Sequence, residues 1–569
     1  MSGQEKMDRR SALKIVGGTI AGLVVGGAIG YLAKPAAPAV TSTVTSEITK
    51  TITKATTKTV AKGAATVTKT ITTTVTGTAT PAVGGIKWQL PPGEKNPTVD
   101  FSGVTLKSVF DAGIGHLIEW FKDELKSECG VTMADPEYNP MGQQYQKTMT
   151  DLLSGKPSWH LVQVVAMYLG DYVKTEKVQA LDKYLSGFAN IDAFWADIVP
   201  PFREYYCKWG GKTWALPFDG DIHVFNYRPS LFRDDKLKRK FKEKYGRPLT
   251  LPQTWDDALI LAKFFQEETG LYGMGMVGQR PFNYGWWLDF AAAYGVMYFD
   301  EEMEHAFIPR DRAIEASEMF YKFYEEEVVP PGTPTMDISE TVTLWQSAKV
   351  AMFPWWVDLN EFTARTECPV RGDLGDTLMP GAPDPKWGTI IHRPIMEYGR
   401  IFIIPTDIPE ECKKAAVYVM VRLASKYYSV YYVADPFCGS DPFLFSHYTE
   451  EAAMQYCKPN PYRGTAPDWP VNEGIFKDPD LARKHVLTAK QNLENGFPQP
   501  CWPGSAKYID SLSIHVQKLA SGEESPKEFV NNVAADWESI RDELGKSEQK
   551  EYWKSFVETS KKLGYWPRA

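Results

Sequence analysis

The chain has 569 residues, 43% hydrophobic and 24% charged, which at ~150 residues per domain is chain enough for about four domains. That balance excludes a polytopic membrane protein and a wholly disordered chain. Net charge is −8, but residues 1–80 hold ten Lys and Arg against three Asp and Glu, which leaves 53 against 68 in the rest. A body this acidic repels phosphate backbones, so no nucleic acid is expected as a partner. Aromatic residues total 74, and 18 of them are Trp. That is more than core packing alone requires.

Residues 1–14 are polar and contain Asp8-Arg9-Arg10-Ser11-Ala12-Leu13-Lys14. Nineteen uncharged residues, 15–33, follow, and the pair reads as an export signal. Arg9-Arg10 with Leu13 and Lys14 resembles a twin-arginine signal, with departures at Asp8 and Ala12. Nineteen residues in a helix span roughly 28 Å, close to the ~30 Å hydrocarbon core of a bilayer. Two fates follow: cleavage near Ala37-Pro38-Ala39, or retention as a membrane anchor, which the Gly-rich run and Lys34 favour. Residues 34–85 are expected to form a stalk, since 41–80 contain eighteen Thr and almost no large apolar side chain. Such tracts are extended spacers, either O-glycosylated or plain linkers. There is no N-x-S/T sequon, because Asn96-Pro97-Thr98 is blocked by its proline. Seven cysteines show neither C-x-x-C nor His-paired zinc spacing, so no metal is expected, and in an exported protein some of them are expected to pair.

From residue 86 onward short apolar runs, 104–110, 161–165 and 401–404, alternate with amphipathic stretches at 117–125 and 313–324. This alternation indicates an α/β fold. Leu251-Pro252-Gln253-Thr254-Trp255-Asp256-Asp257 marks a helix start, with Thr254 as cap, running to about Glu268. A second helix is predicted from about 311 to 328, stopped by Pro330-Pro331-Gly332.

Several of these segments, in order, resemble the extracellular solute-binding proteins of ABC importers, especially the sugar-binding group that includes maltose-binding protein. The resemblance covers roughly residues 100–545. It rests on Gly211-Lys212-Thr213-Trp214-Ala215-Leu216-Pro217 leading into Phe225-Asn226-Tyr227-Arg228-Pro229-Ser230-Leu231-Phe232, and on Leu251 to Asp257. It continues with Lys349-Val350-Ala351-Met352-Phe353-Pro354-Trp355 and ends with Leu519-Ala520-Ser521-Gly522-Glu523-Glu524-Ser525-Pro526. The resemblance implies a two-lobed, periplasmic-binding-protein-like α/β fold with a hinge and a ligand cleft. Residues 86–569 would then be one solute-binding domain, with lobe 1 at about 101–217 and 400–447 and lobe 2 at about 218–399 and 448–569. Ligands in such sheets sit beyond the carboxyl ends of the strands.

Candidate ligand contacts follow from sugar chemistry and from the resemblance together. A sugar ring offers an apolar face and a rim of hydroxyls, which suits an indole below and carboxylates or amides around it. Trp355, on the family's Pro-Trp, is expected to stack on the ligand, with Trp356 beside it and Trp286 in the second Trp pair; core packing is the alternative for each. Asp219, Asp221 and His223 alternate on a predicted strand, so their side chains are expected on one face. The resemblance makes Asp221 a hydroxyl acceptor, with Asp219 close by; an acid/base pair, a metal set or a solvated face are the alternatives. Gln279, Asn283 and Tyr284 lie on a segment similar to a ligand-contacting loop, with an ordinary surface loop as the alternative; Tyr168 follows the run ending at Val165, with core packing as its alternative; and Trp502 resembles a late cleft aromatic. Arg400 departs from the family pattern and would supply a cation for an anionic ligand.

The combined expectation is an anchored extracellular receptor that captures a carbohydrate and delivers it to an ABC permease, performing no catalysis and needing no cofactor. The alternatives are a receptor for a peptide, polyamine or phosphorylated compound, a surface glycosidase, and a structural envelope protein.

Overall fold

The computed structural model describes residues 85–566, apart from 115–116, 365–367, 387 and 463–472. The polar tip at 1–14, the apolar segment at 15–33 and all but the last residue of the expected stalk lie outside the described residues. Among the described residues, no helix is long and apolar enough to cross a membrane.

Among the described residues, nine strands build the two larger sheets. In chain order they are β1 (Ser108–Asp111), β2 (Glu137–Asn139), β3 (Leu161–Val165), β4 (Leu216–Pro217), β5 (His223–Tyr227), β6 (Tyr272–Met274), β7 (Val350–Trp356), β8 (Gly375–Thr377) and β9 (Arg400–Ile403). The first sheet has the order β4-β9-β3-β1-β2, and the second β6-β7-β5-β8. Parallel pairs β1/β2, β1/β3 and β6/β7 sit beside antiparallel pairs such as β5/β7. β3 (Leu-Val-Gln-Val-Val) and β7 (Val-Ala-Met-Phe-Pro-Trp-Trp) are buried along their whole length. Near-continuous apolar runs of this kind mark strands covered on both faces.

The principal helices include α1 (Leu117–Cys129), α2 (Trp255–Thr269), α3 (Asn283–Ala293), α4 (Arg310–Glu325), α5 (Ile338–Gln346), α6 (Glu410–Ala424), α7 (Pro479–Glu494), α8 (Ser505–Ser521), α9 (Pro526–Glu543) and α10 (Lys546–Leu563). α6 packs on β4 of the first sheet, while α2 packs on β6 and α7 on β8 and β5 of the second. The predicted cap forms, because the Thr254 hydroxyl accepts from the Asp257 N–H at 3.1 Å. The predicted second helix appears as α4 and ends at Glu325, before the stop at Pro330.

Among the described residues the chain passes between the sheets three times: at 218–222 between β4 and β5, at 396–399 before β9, and at about 434–448 between the helices that follow β9 and those that lead to α7. The second passage is the tightest. Tyr398 has φ of 78° and Gly399 of 62°, a left-handed turn that costs a bulky residue such as Tyr free energy. Gln499 holds that turn in place, accepting from the Tyr398 N–H at 2.8 Å and donating to its carbonyl at 2.9 Å.

A buried ion pair fixes the first described segment to the body. Arg422 on α6 donates to the carbonyls of Trp88 at 2.8 Å and Leu90 at 2.6 Å, and its Nε meets Glu128 of α1 at 2.6 Å. Tyr418 and Tyr428 donate to the same carboxylate.

The expected cysteine pairing is not found. All seven thiols, Cys129, Cys207, Cys368, Cys412, Cys438, Cys457 and Cys501, are free. They lie at separate places in the fold, and several bond locally, Cys129 to the Leu125 carbonyl at 3.1 Å and Cys207 to that of Phe202 at 3.3 Å. Burial pushes the Cys129 and Cys501 thiols up to about 12, so they are poor nucleophiles at neutral pH.

Two outcomes are expected. Reducing agent leaves the melting temperature unchanged, and thiol titration of the unfolded chain without reductant counts seven cysteines. Arg422→Met leaves Glu128 buried without its cation and costs about 3–5 kcal/mol, read as a lower urea midpoint with faster proteolysis near residues 85–95.

Candidate ligand cleft

A cavity lies between the two sheets. It is lined by Gly113 and Met141, by Asp221 of the first passage, Ile338 of α5, Trp355 and Trp356 at the end of β7, Asp358 and Phe362, and by Tyr398 and Arg400 at the second passage. Its volume is about 30 Å³, room for one or two waters.

Arg400 organises the wall. Its Nε donates to Asp111 Oδ2 at 2.8 Å, and its Nη1 donates to Asp219 and to the Gly439 carbonyl, the latter at 2.7 Å. Asp221 lies 3.9 Å from the same nitrogen and accepts from the Gly399 N–H at 2.9 Å. Asp219 also accepts from the Asp441 N–H at 2.7 Å. Asp111 ends β1, Asp219 and Asp221 belong to the first passage, and Gly439 and Asp441 to the third. Two glycines keep the wall this close. A Cβ on Gly113 would stand 3.0 Å from both Arg400 Nη2 and Asp111 Oδ1, and one on Gly439 2.9 Å from Asp358 Oδ2 and 2.7 Å from the Phe362 ring.

The aromatic wall is equally constrained. Trp355 donates its indole N–H to Asp358 at 3.0 Å, and Trp356 donates to the Glu397 carbonyl at 3.0 Å. Trp286 of α3 packs behind them, with ring centroids 5.8 Å from Trp355 and 5.2 Å from Trp356. Beneath lies His223, whose Nδ1 meets Asp289 at 2.7 Å and whose Nε2 meets Glu397 at 3.2 Å.

These buried charges shift one another. Burial raises Asp358 to about 8, with Glu361 adding repulsion. Burial likewise holds Asp221 and Asp441 well above the usual carboxylate range, reinforced by Asp219 and Asp358 respectively, and raises Asp219 against the pull of Arg400. For His223 burial opposes the charge, but Asp289 and Glu397 outweigh it and lift the group to about 9. Glu397 rises to about 7 through burial, partly offset by His223.

Of the residues singled out from sequence, Trp355, Trp356, Asp221 and Arg400 line the cavity. Asp219 stands behind it, bound to Arg400. The expected strand through Asp219, Asp221 and His223 begins only at His223, and the three diverge, the aspartates to Arg400 and His223 to Asp289 and Glu397. Arg400 is not a free cation for an anionic ligand, because Asp111 and Asp219 already neutralise it. Trp286 backs the wall. Asn283 and Tyr284 open helix α3 rather than a loop; Asn283 donates to the Ser513 carbonyl at 3.0 Å and Tyr284 to Gln499 at 2.9 Å. Gln279 accepts from the Ile338 N–H at 3.0 Å and so fixes the start of α5, which carries a cavity residue. Tyr168 packs on Tyr145 with centroids 4.4 Å apart. Trp502 is in an aromatic core with Tyr298, Tyr508, Trp553 and Phe556. Sequence reasoning missed Asp111, Asp358, Tyr398 and Phe362. Asp111 and Asp358 each closely follow a buried apolar run, the position where a ligand-facing polar residue is expected in such sheets. Among the described residues, no group of three or more His, Cys, Asp or Glu is arranged to hold a metal ion.

A family model described as bacterial extracellular solute-binding protein matches residues 132–407, a stretch that contains two of the three passages. Over that stretch, 276 of the 569 residues, the chain is similar to that family. Solved solute-binding proteins share its fold: maltose-bound MalE3 of T. maritima, at 17% identity and TM-score 0.60, covers 77% of this chain and 100% of its own. A solute-binding protein of Agrobacterium radiobacter K84 in complex with ribitol gives 19%, 0.60, 78% and 100%, and one of Thermotoga lettingae TMO bound to α-D-tagatose gives 15%, 0.59, 77% and 100%. No curated protein matches the chain. The solute-binding family consists of binding proteins rather than enzymes, and the fold is the periplasmic-binding-protein-like α/β arrangement.

The buried charges predict how stability depends on pH. Asp358 and Glu397 are raised when folded, so their contribution is full below the unfolded carboxylate range of about 4 and is lost as pH rises through 7 to 8. His223 and His485, lifted to about 9 and about 10, contribute fully below about 6.5 and lose that contribution as pH rises through those values. His447, held down to about 3 by burial, acts oppositely and only below about 6.5. Thermal melts are expected to show a falling midpoint from about pH 6.5 to about pH 9, with the acid end of that fall reduced in Asp358→Asn; a midpoint rising across that window would contradict the assignment.

Proposed function

We propose that this solute-binding protein is a cell-surface receptor that captures a carbohydrate, an oligosaccharide by preference, and delivers it to an ABC permease without transforming it. The observation that carries this reading is the cavity itself: two indoles, Trp355 and Trp356, face a rim of Asp221, Asp358 and Arg400 where all three passages between the sheets converge. Flat apolar walls with a charged, hydrogen-bonding edge suit a sugar ring. The relatives with maltose, ribitol and tagatose bound support the same class of ligand.

In this reading residues 101–217 and 400–447 form one lobe and 218–399 and 448–569 the other, with the passages as hinge. A cavity of about 30 Å³ is too small for a sugar, so capture begins from an opened cleft and ends in closure. Trp355, Trp356, Asp221, Arg400, Asp358 and Tyr398 would touch the ligand; Asp219, Trp286, Gln279, Asn283, Tyr284, Tyr168 and Trp502 would support them. The segment at 15–33 would anchor the protein at the outer membrane face, and the Thr-rich segment would hold it clear of the surface. An acid/base pair for glycoside cleavage needs carboxyls on both sides of the scissile bond, whereas Asp219 and Asp221 share one guanidinium.

The test is a screen of mono- and oligosaccharides by thermal shift, since a ligand of the folded state raises the midpoint by mass action, followed by small-angle scattering with and without each hit. A binding sugar is expected to keep the protein in its compact form. Trp355→Ala is expected to lose roughly 1–3 kcal/mol of affinity, the scale of aromatic stacking on a flat ligand, while Trp355→Phe loses less. Unchanged calorimetric affinity in Trp355→Ala would remove this residue from the site.

A further inference from the structure

The hydrogen-bond donors around the cavity are largely taken up by the protein itself. Trp355 donates to Asp358, Trp356 to the Glu397 carbonyl and Tyr398 to Asp111 at 3.4 Å. Arg400 gives Nε and Nη1 to Asp111, Asp219 and Gly439. Acceptors are in surplus. Around this one guanidinium stand Asp111, Asp219, Asp221, Asp358 and Asp441, all buried.

Asp441 is the telling member of the set. Its backbone N–H is bound to Asp219, and its Oδ2 accepts from the Val357 N–H at 3.0 Å. The carboxylate therefore sits between the Arg400 pair and residues 356–358 of the cavity wall. Its Oδ1 is buried and has no hydrogen-bond partner. A buried carboxylate oxygen without a donor is costly; this one stands behind the wall, while Asp221 and Asp358 bring carboxyls to the cavity itself.

Sugar hydroxyls both donate and accept, whereas an ammonium carries three donors, a positive charge and no acceptor. The remaining walls suit a cation as well. Trp355, Trp356, Phe362 and Tyr398 present rings to the cavity, and ring faces attract cations. Arg400 already lies 4.9 Å over the Tyr398 ring centroid. The cavity of about 30 Å³ matches an ammonium head, which is about the size of a water.

We propose that the captured solute carries a protonated amine, seated in this cavity against Asp221 and Asp358 with Trp355 and Trp356 as walls. The proposal rests on the receptor function above and specifies its ligand as an aminated one. Burial and mutual repulsion raise Asp221, Asp358 and Asp441 above the usual carboxylate range when the closed site is empty. The groups that face them are Asp111, Asp219, Arg400 and Tyr398 on the side of the first sheet, and Glu361, itself against His485 and Asp376, on the other. An ammonium against Asp221 and Asp358 draws those two carboxyls back down. Binding therefore releases protons and tightens as pH rises from about 5 toward about 7, until the amine of the ligand loses its own charge.

The experiment is titration calorimetry on the full chain in detergent, with the free-amine disaccharide of glucosamine, its di-N-acetyl counterpart, maltose, and putrescine. Measurements at about pH 5 and about pH 7 in buffers of different ionisation heat count the protons released. The free-amine disaccharide is expected to bind about tenfold or more tightly than the acetylated one, with net proton release. Asp358→Asn and Asp221→Asn, checked for folding by circular dichroism, are expected to erase most of that preference and the pH dependence. Acetylated disaccharide or maltose binding as tightly as the amine overturns the amine requirement and leaves the receptor function standing. Binding of putrescine but of no sugar supports the amine site and overturns the carbohydrate reading. Silence from all four overturns both.

Discussion

The buried guanidinium of Arg400 is the constraint on which the cleft depends. One side chain ties the end of β1 through Asp111, the first passage through Asp219 and the third through the Gly439 carbonyl, while its own backbone adjoins the second. Placing a charge there is expensive unless its donors are matched. The matches come from three separate stretches of chain, so the cost of leaving Arg400 without its partners falls on any arrangement that separates them. The glycines at 113 and 439 belong to the same constraint, because a side chain at either would push into Arg400, Asp111 or Asp358.

Five carboxyl groups brought around one cation leave negative charge over, and the rest of the local chemistry deals with the excess. Protons on Asp358 and its neighbours are one way to discharge it, and burial favours them. Below the aromatic wall the same problem recurs on a smaller scale: His223 lies between Asp289 and Glu397, two carboxylates around one imidazole. That second group joins β5, α3 and the start of the second passage, and its cation is His rather than Arg. One centre keeps its charge at any ordinary pH and the other gives it up in mildly alkaline solution.

The fold was largely legible in the sequence. The apolar runs at 161–165 and 401–404 are strands β3 and β9 within one residue, and the Thr254 cap forms as its spacing requires. Periodicity and capping are local, and local signals survive into the structure. Four of the ten cavity residues were legible too: Trp355, Trp356 and Asp221 through the order of the family's pattern, and Arg400 as a departure from it. What stayed hidden was relational. Asp111 and Arg400 are 289 positions apart and form one ion pair, and nothing in the local sequence of either announces the other. The adjacent Trp286 and Trp287 suggest a ligand surface by sequence, but each indole finds a buried acceptor, Pro354 and Ser317. This tryptophan pair thus serves packing, with both N–H groups satisfied, more than it serves a ligand surface. Cysteine pairing failed for the same reason: residue type suggests it, and only position decides it.

In the closure proposed above, closing and charge would be coupled. With the two sheets apart, water solvates Asp221, Asp358 and Asp441, and each holds its charge at little cost. Bringing the sheets together removes that water and leaves about 30 Å³, so the carboxylates must take up protons or meet a cation. An empty closure therefore requires proton uptake and becomes harder as pH rises, whereas closure around a donor-rich solute does not. In that scheme the free energy that distinguishes an occupied cleft from an empty one would come from satisfying the carboxyls that line it, Asp221 and Asp358, rather than from apolar contact alone. The aromatic walls would give the ligand a place to lie, and the lining carboxyls would decide which ligand makes the closed form stable.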